Sequence, residues 1–351
     1  MFFAINDRNI GHGNAPYVIA ELSANHNGNL ENALSIIDIA KDAGADAVKI
    51  QTYRPDTITL KSDAPEFQIN EGPWKGRNLY ELYEWAHTPW DWHEKLFSHA
   101  ANRGISIFSS PFDFSAVDLL QELGAPAFKI ASFEAVDLPL IRYVASKGKP
   151  MIISTGMADF QEIEDAVEAA RDGGCDDLAL LLCVSGYPAP PSDYNLATLA
   201  DMIAKFDVPI GLSDHTLDNT TAIASVALGA SIIEKHITLD RTGGGPDDSF
   251  SLEPKEFAGL CRDAKTAWTA IGRVAYGGKS SERGNVQFRR SLYFIKDLQA
   301  GETITADAVR SVRPGYGAAP KFLDDIIGKK IRAAVGANTP VKLDAILLEN
   351  D

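Results

Sequence analysis

The chain has 351 residues, of which 45% are hydrophobic and 23% charged, as is usual for a soluble globular protein. Its formal net charge of −15 argues against nucleic acid and anionic membranes as partners, because both favour clustered lysine and arginine. The sequence has no run of about 18 uncharged apolar residues and no basic stretch followed by an apolar one near residue 1. We therefore expect a cytoplasmic protein, and its three widely spaced cysteines predict buried thiols.

Short strand-like runs alternate with amphipathic stretches along most of the chain. The predicted strands cover residues 17–21, 47–51, 105–109, 127–130, 151–154, 178–183, 209–213 and 231–235. The predicted helices cover residues 30–43, 90–103, 159–171, 196–206, 221–228 and 256–271. This α/β alternation favours a (β/α)8 TIM barrel over an open sheet. A Rossmann domain is disfavoured because no Gly-x-Gly-x-x-Gly follows the first strand.

Two segments depart from the barrel pattern. The long connection 52–89 holds the aromatic residues Phe67, Trp74, Tyr80, Tyr83 and Trp85. We expect about half of these rings to pack the insert onto the barrel and the rest to line a lid. Residues 1–272 form the predicted barrel domain, 273–287 a linker rich in Gly, Ser and charge, and 288–351 a small second domain. A domain of this size is marginal alone, so we expect it to lean on a barrel.

Two histidines stand at the ends of the last two predicted strands. His215 follows one strand, His236 ends the next, and the two positions are 21 residues apart. Consecutive strands of a βαβ unit bring such residues side by side. Two neutral imidazoles can then share one divalent metal and leave coordination positions for substrate. A single histidine at a strand end is more often structural, but the pair favours a metal site.

Other polar residues gather at the same strand ends, where TIM barrels carry their active sites. These are Glu21, Lys49, Gln51, Ser110, Lys129, Ser132, Glu134, Ser154, Ser185, Tyr187, Ser213 and Glu234. Hydroxyls and ammonium groups together predict a site for a phosphate and a carboxylate. The alternative is a class I aldolase with Lys129 or Lys235 as a Schiff-base lysine, which the histidine pair disfavours. Asp247, in the glycine-rich loop after the eighth strand, is either a ligand for sugar hydroxyls or a solvated turn residue.

Several motifs together closely resemble the N-acylneuraminate (sialic acid) synthase family. They are Ile19-Ala-Glu-Leu-Ser-Ala-Asn-His26, Lys49-Ile-Gln-Thr52, Ser109-Ser-Pro-Phe112, Lys129-Ile-Ala-Ser132, Ser154-Thr-Gly-Met157, Tyr187-Pro-Ala-Pro190, Gly211-Leu-Ser-Asp-His-Thr216 and Glu234-Lys-His236. The resemblance spans nearly the whole chain, including a C-terminal part similar to the family's antifreeze-protein-like (SAF) domain. A further set resembles the pseudaminic acid synthase branch: Leu79-Tyr-Glu-Leu-Tyr83, Ala86-His-Thr-Pro-Trp90, Gly244-Gly-Pro-Asp247 and Phe250-Ser-Leu-Glu-Pro254.

The resemblance implies an enzyme that condenses phosphoenolpyruvate with an N-acylated amino sugar, giving a nine-carbon 2-keto acid and phosphate. For this branch the sugar is 2,4-diacetamido-2,4,6-trideoxy-L-altrose and the product pseudaminic acid. An N-acetylneuraminate or legionaminate synthase is the alternative, since it differs only in its sugar contacts. A non-catalytic sugar- or ice-binding protein leaves the polar strand ends unexplained.

The resemblance also implies roles for individual residues. His215 and His236 would bind a divalent metal, Mn²⁺ before Mg²⁺ or Co²⁺. The residues for phosphoenolpyruvate would be Lys49, Ser110, Lys129, Ser132, Ser154, Ser213 and Ser185, the last standing where sialic acid synthases carry an Asn. Those for the sugar would be Gln51, Glu134, Tyr187 and Asp247.

Two further expectations concern catalysis and assembly. Glu21, at the end of the first strand, is the candidate base for the water that enters the reaction. The family's small domain covers the barrel of a partner subunit and supplies an arginine. We therefore expect a homodimer in which Arg313 reaches the sugar bound to the other subunit.

Overall fold

A computed structural model describes residues 2–347 of the chain. The chain begins with an antiparallel hairpin of β1 (Phe2–Ile5) and β2 (Arg8–Gly11). Eight parallel strands follow: β3 (Tyr17–Glu21), β4 (Ala47–Thr52), β5 (Ser106–Pro111), β6 (Phe128–Ile130), β7 (Met151–Ser154), β8 (Leu178–Cys183), β9 (Ile210–Asp214) and β10 (Ile232–His236). They pair in chain order, and β10 closes the barrel by pairing with β3. The predicted TIM barrel is confirmed.

Ten helices accompany the barrel strands among the described residues. They are α1 (Leu30–Ala43), α2 (Pro55–Ile58), α3 (Leu79–Ala86), α4 (His93–Arg103), α5 (Phe114–Glu122), α6 (Leu138–Ala145), α7 (Phe160–Asp172), α8 (Ala197–Lys205), α9 (Thr220–Ala227) and α10 (Pro254–Ile271). Short 3-10 helices lie at Pro65–Phe67, Trp90–Trp92, Ser132–Glu134, Pro191–Tyr194 and Asp248–Phe250. The predicted helices did not include the two short helices of the insert, α2 and α3, or two helices of the barrel, α5 and α6. These last two are also short. Each nevertheless follows an aspartate whose side chain caps the helix, Asp113 and Asp137.

The lower part of the barrel interior is apolar. One buried cluster joins inward-facing side chains of the strands to three residues of the hairpin, Phe3, Ile5 and Ile10. The hairpin therefore closes the N-terminal end of the barrel. The alternate residues of each strand face outward and pack against the helices, as Val18 and Val48 do.

Residues after Gly272 form a second compact unit. Its strands are β11 (Ser291–Phe294), β12 (Val309–Val312), β13 (Lys330–Ile331), β14 (Thr339–Pro340) and β15 (Ile346–Leu347). Its helices are α11 (Leu323–Ile326) and the 3-10 helices Ser280–Phe288, Pro320–Phe322 and Leu343–Ala345. β11 lies between β12 and β14, while β13 pairs with β15.

The helix Ser280–Phe288 occupies much of the predicted linker and has no buried side chain. Residues 348–351 of the predicted second domain lie outside the described residues, as does Met1. Within residues 2–347, no helix combines the length and the apolar character needed to cross a membrane. Cys175, Cys183 and Cys261 are free and buried, as predicted.

Candidate active site

A complete ring of side chains points into the barrel one layer above its apolar floor. Every strand contributes one member, two residues beyond an inward-facing residue of the layer below. The members are Glu21, Lys49, Ser110, Lys129, Ser154, Cys183, Ser213 and Glu234, and all are buried. Seven of the eight are polar or charged, so the C-terminal half of the interior is a chemical site rather than a continuation of the core.

The Lys49 ammonium holds the acidic side of this ring together. Its Nζ lies 2.8 Å from Glu21 Oε2 and 3.6 Å from Glu234 Oε1. It also donates a hydrogen bond of 3.3 Å to Ser110 Oγ. Burial alone would lower the pKa of Lys49, but the two carboxylates outweigh burial and raise it, so the lysine stays charged.

The two carboxylates around Lys49 differ in acidity. Burial raises the pKa of Glu21 despite the opposing charge of Lys49. Burial also acts on Glu234, but Lys49 and Lys129 outweigh it and lower the pKa of that carboxyl. Glu21 is therefore the more basic carboxylate of the pair, and Glu234 the more permanently charged one.

The opposite side of the ring offers a lysine and several hydroxyls. Lys129 Nζ donates to the carbonyl oxygen of Ile130 at 2.8 Å, and burial lowers the pKa of this lysine. The buried hydroxyls of Ser154 and Ser185 have no hydrogen-bond partner among residues 2–347. These groups are free to bind an anion, as the sequence predicts.

Gly156 allows two of the predicted serines to converge. Ser132 Oγ accepts a hydrogen bond from the Gly156 N–H at 3.1 Å. A Cβ atom at Gly156 would clash with Ser185 Oγ and lie 2.8 Å from Ser132 Oγ, so a side chain there would push both hydroxyls away. This glycine is not among the site residues predicted from the sequence.

His215 and His236 lie together, as predicted, with ring centroids 5.4 Å apart. His215 Nδ1 is 2.8 Å from the Val184 carbonyl oxygen, which fixes the proton on Nδ1 and leaves Nε2 as a lone-pair donor. Its backbone N–H donates to the Tyr194 hydroxyl at 2.6 Å. His236 Nδ1 is buried without a hydrogen-bond partner in the described part of the chain.

These donors fit a divalent metal ion. Burial, followed by the charge of His215, lowers the pKa of His236 well below its usual range, so that ring is neutral. Burial would also lower the pKa of His215, but Cys183, whose Sγ lies 4.0 Å from Nδ1, helps to raise it on balance. Residues 2–347 contain no group of three or more His, Cys, Asp or Glu arranged around a metal position. Two imidazoles would thus leave the remaining positions to water and substrate.

A cavity of about 430 Å³ lies over the polar ring. Of the residues predicted to bind sugar, Gln51, Glu134, Tyr187 and Asp247 all line it, together with His236. Arg313 belongs to the second unit, where its side chain is exposed. The predicted sugar residues of the barrel therefore surround one space.

The insert after β4 supplies the apolar side of the cavity. Of the five aromatic residues considered above, Trp74 and Tyr83 line the cavity, whereas Phe67, Tyr80 and Trp85 do not. A sixth aromatic residue of the insert, Tyr53, lines it as well. Trp74 Nε1 donates to the Pro246 carbonyl oxygen at 2.8 Å, and its ring lies 5.5 Å from that of Tyr187. The insert is thus fastened to the loops that follow β8 and β10.

Hydrogen bonds link the cavity to the ring below it. Gln51 Nε2 donates to Glu21 Oε1 and to Ser23 Oγ, each at 2.9 Å. Ser23 Oγ donates to Asp247 Oδ2 at 2.6 Å, and Asp247 is 8% exposed. The interpretation of Asp247 as a solvated turn residue is therefore wrong.

The chain after β3 holds the glycine-rich loop in place. Asn25 Nδ2 donates to the Ile237 carbonyl oxygen and to Ser251 Oγ, both at 2.8 Å, while Asn27 Nδ2 donates to Asp248 Oδ2 at 2.9 Å. Sequence reasoning gave no role to these two asparagines or to Ser23. These residues lie in the turns that follow β3, so strand periodicity gave no signal for them.

Lys235 does not belong to the site. It alternates with the inward-facing Glu234 and His236, so it points outward from the barrel, where it forms an ion pair with Asp214. The alternative role of Lys235 as a Schiff-base lysine is therefore wrong. Glu234, in contrast, was among the strand-end candidates without an assigned role, and it proves to contact Lys49.

Comparisons with known proteins agree with this geometry. The model of the NeuB family matches residues 36–276, and that of the SAF domain matches residues 289–347. The chain is 45% identical over 314 residues to a pseudaminic acid synthase of Campylobacter jejuni, covering 90% of this chain and 92% of that protein. It is 42% identical over 333 residues to a pseudaminic acid synthase of Helicobacter pylori, covering 94% and 98%.

A solved structure extends the likeness to the fold. The N-acetylneuraminic acid synthetase of Leptospira borgpetersenii, crystallised with citrate, superposes with a TM-score of 0.73 at 32% identity, covering 82% of this chain and 96% of that one. The sequence, the fold and the inward ring of polar side chains all indicate the same family. The chain belongs to the NeuB family of sialic acid synthases, with a C-terminal SAF domain.

Proposed function

We propose that this chain condenses phosphoenolpyruvate with 2,4-diacetamido-2,4,6-trideoxy-L-altrose to form pseudaminic acid and phosphate. The observation that carries the proposal is the ring in which two lysines and several serines lie beneath a half-apolar cavity. The two pseudaminic acid synthases named above share more of this sequence than the Leptospira enzyme does, which supports the choice of sugar. Cytoplasmic location is part of the proposal and rests on the sequence features given above.

Phosphoenolpyruvate would bind in the ring. Its phosphate and carboxylate would be neutralised by Lys49 and Lys129 and would accept hydrogen bonds from serine hydroxyls. Those serines are Ser110, Ser132, Ser154, Ser185 and Ser213. The unpartnered hydroxyls of Ser154 and Ser185 support this assignment, because buried polar groups normally have partners.

His215 and His236 would hold the metal ion, with Mn²⁺ the first candidate and Mg²⁺ or Co²⁺ the alternatives. When bound, such an ion polarises the aldehyde oxygen of an open-chain sugar. The His215 Nδ1 contact with Val184 and the burial of His236 hold both rings ready for this role.

The carbon chemistry then needs one base. The CH₂ carbon of phosphoenolpyruvate forms the new bond to the aldehyde carbon, the C=O π pair moves to the aldehyde oxygen, and that oxygen takes a proton and becomes a hydroxyl. The former enol carbon, which bears the phosphate, is left cationic. Water adds to this carbon and gives its proton to Glu21, whose raised pKa suits a base. The C–O bond to phosphate then breaks, phosphate leaves with the electron pair and takes the proton of the new hydroxyl, and the keto group forms.

The cavity would bind the sugar. Gln51, Glu134, Tyr187 and Asp247 offer polar contacts, while the insert presents Trp74 and Tyr83 with aliphatic neighbours. A 6-deoxy sugar with two acetamido groups exposes more methyl surface than N-acetylmannosamine does. Apolar walls stabilise such groups in proportion to the area they bury.

We also propose a homodimer in which Arg313 reaches the partner's sugar. Residues 1–272 carry 20 basic and 39 acidic side chains, whereas residues 273–351 carry 13 basic and 9 acidic ones. The barrel is thus strongly acidic and the second unit basic, and opposite charges favour docking of one upon the other. The exposed position of Arg313 is compatible with such a contact.

A class I aldolase remains the second candidate because of one observation. Burial lowers the pKa of Lys129, and a Schiff-base lysine must be neutral to attack a carbonyl. Membership of the NeuB family counts against this chemistry. Borohydride trapping with a carbonyl substrate would identify it directly.

The first prediction concerns reaction and sugar. We expect phosphate release from phosphoenolpyruvate to require the diacetamido trideoxy altrose, to stop with EDTA and to resume with Mn²⁺. N-acetylmannosamine serves as the comparison sugar in the same assay. Efficient turnover of N-acetylmannosamine alone would contradict the sugar assignment. Activity that ignores EDTA but is trapped by borohydride would contradict the reaction.

The second prediction concerns Glu134. Burial raises the pKa of Glu134 to about 7, against the opposing charge of Lys129, while Asp137 raises it slightly further. Burial, followed by the charge of Glu134, raises the pKa of the neighbouring Tyr83. Below this pKa the carboxyl is neutral and can donate a hydrogen bond to the sugar, and above it the donor is lost.

The KM for the sugar should therefore rise as the pH passes through about 7. Glu134→Gln carries an N–H donor at every pH, so this rise should disappear in that variant. The measurement is the KM for the sugar from pH 5.5 to 8.5 at saturating phosphoenolpyruvate, about 1.5 pH units on each side of the pKa. An identical pH dependence in Glu134→Gln would refute the role of Glu134.

The third prediction tests the shared site. Arg313→Ala and His236→Ala chains should each be inactive as homodimers, because every site lacks either the arginine or the metal ligand. Mixed chains should form heterodimers with one working site each, so activity should return towards half of the wild-type value per mixed dimer. Mixing two preparations of His236→Ala is the control. No recovery in the mixed sample would count against a shared site.

A further inference from the structure

Lys235 and Asp214 form an ion pair on the helix-facing side of the barrel. Lys235 Nζ lies 2.7 Å from Asp214 Oδ2, and both side chains are at most 1% exposed. The two residues are direct partners in the pairing of β9 with β10. The pair therefore bridges the two strands that carry the histidines, on the face opposite to the active site.

The same ammonium group also fixes the turn that follows β9. Lys235 Nζ donates to the Thr216 carbonyl oxygen at 2.7 Å and to Thr216 Oγ1 at 3.3 Å. Asp214 Oδ1 accepts a hydrogen bond from the Thr216 N–H at 2.9 Å. His215 lies between Asp214 and Thr216, so the residues on both sides of it are attached to Lys235.

Lys235 is in turn the neighbour of His236. One side chain thus connects the backbone on either side of His215 to the backbone that carries His236. We infer that Lys235 and Asp214 are positioning residues that set the separation of the two imidazoles, and hence the affinity of the site for a divalent metal. The inference rests on the metal site proposed above.

Stability alone does not explain a buried ion pair at this place. Removing two charges from water is costly, and apolar residues of similar volume often replace a buried pair without loss of stability. In contrast, a network of four contacts that surrounds one metal ligand and adjoins the other restricts both strand ends. Residues that orient metal ligands typically affect metal affinity by about 10- to 100-fold.

The test uses the full-length protein, without substrates, and measures Mn²⁺ binding from the electron paramagnetic resonance signal of free Mn²⁺. In the double variant Asp214→Leu/Lys235→Met both charges are removed together, so no unpaired charge is buried. We expect this variant to keep a melting temperature near that of the wild type without metal. Its Kd for Mn²⁺ should rise by about 10- to 100-fold.

Thr52→Val is the matched control. Thr52 is also buried on the outer side of a barrel strand, where Oγ1 lies 2.8 Å from His93 Nε2 and 2.6 Å from Ser109 Oγ. Its replacement removes a buried polar network that touches neither histidine strand. The Kd for Mn²⁺ should therefore be unchanged in this control.

The possible outcomes distinguish the metal site itself from the positioning role of Lys235 and Asp214. Failure of the wild type to bind Mn²⁺, Mg²⁺ or Co²⁺ would overturn the proposed metal site, and this inference with it. A wild type that binds Mn²⁺ and a folded double variant with the same Kd would overturn this inference alone. If the double variant does not fold, Asp214→Glu provides the test, because it keeps both charges and lengthens the link by one methylene. An unchanged Kd in Asp214→Glu would overturn the inference equally.

Discussion

The rest of the site depends on the ion pairs of the Lys49 ammonium with the carboxylates of Glu21 and Glu234. Two carboxylates buried at one end of a barrel would repel each other and lose their hydration if no cation lay between them. Lys49, at 2.8 Å and 3.6 Å, provides that cation and leaves the group with more negative than positive charge. Gln51 then links Glu21 to the cavity above. Binding of an anion in this ring must therefore redistribute the contacts of Lys49.

The same eight strands carry two layers of inward-facing side chains, which have different roles. The lower layer is apolar and is sealed by the N-terminal hairpin, whereas the upper layer carries seven polar or charged side chains. The two layers are successive inward-facing positions, two residues apart on each strand. The first position contributes to fold stability and the second to the chemistry of the site. The outward residues form a third set, in which Lys235 and Asp214 hold the histidine strands from behind.

Local patterns were sufficient for the barrel, the histidine pair and the polar strand ends. Strand period and strand-helix alternation are encoded in neighbouring residues, and the position of a strand end follows from them. The same period places Lys235 on the face opposite to His236, outside the active site. The hairpin was missed although Asn6 and Asp7 form a two-residue turn between short runs. In contrast, the contacts of Lys49 with Glu234 and of Asn27 with Asp248 require barrel closure between the last and first strands, which no local pattern encodes.

The central claim is that the charge of Lys49 binds phosphoenolpyruvate. The most direct measurement is the Kd for phosphoenolpyruvate by isothermal titration calorimetry in Lys49→Met. The control is Lys147→Met, because the Lys147 ammonium pairs with Asp118 away from the site. Loss of one hydrogen bond between charged groups corresponds to about 10- to 100-fold weaker binding. The account predicts that loss for folded Lys49→Met and an unchanged Kd for Lys147→Met. Wild-type affinity in a folded Lys49→Met protein would contradict it.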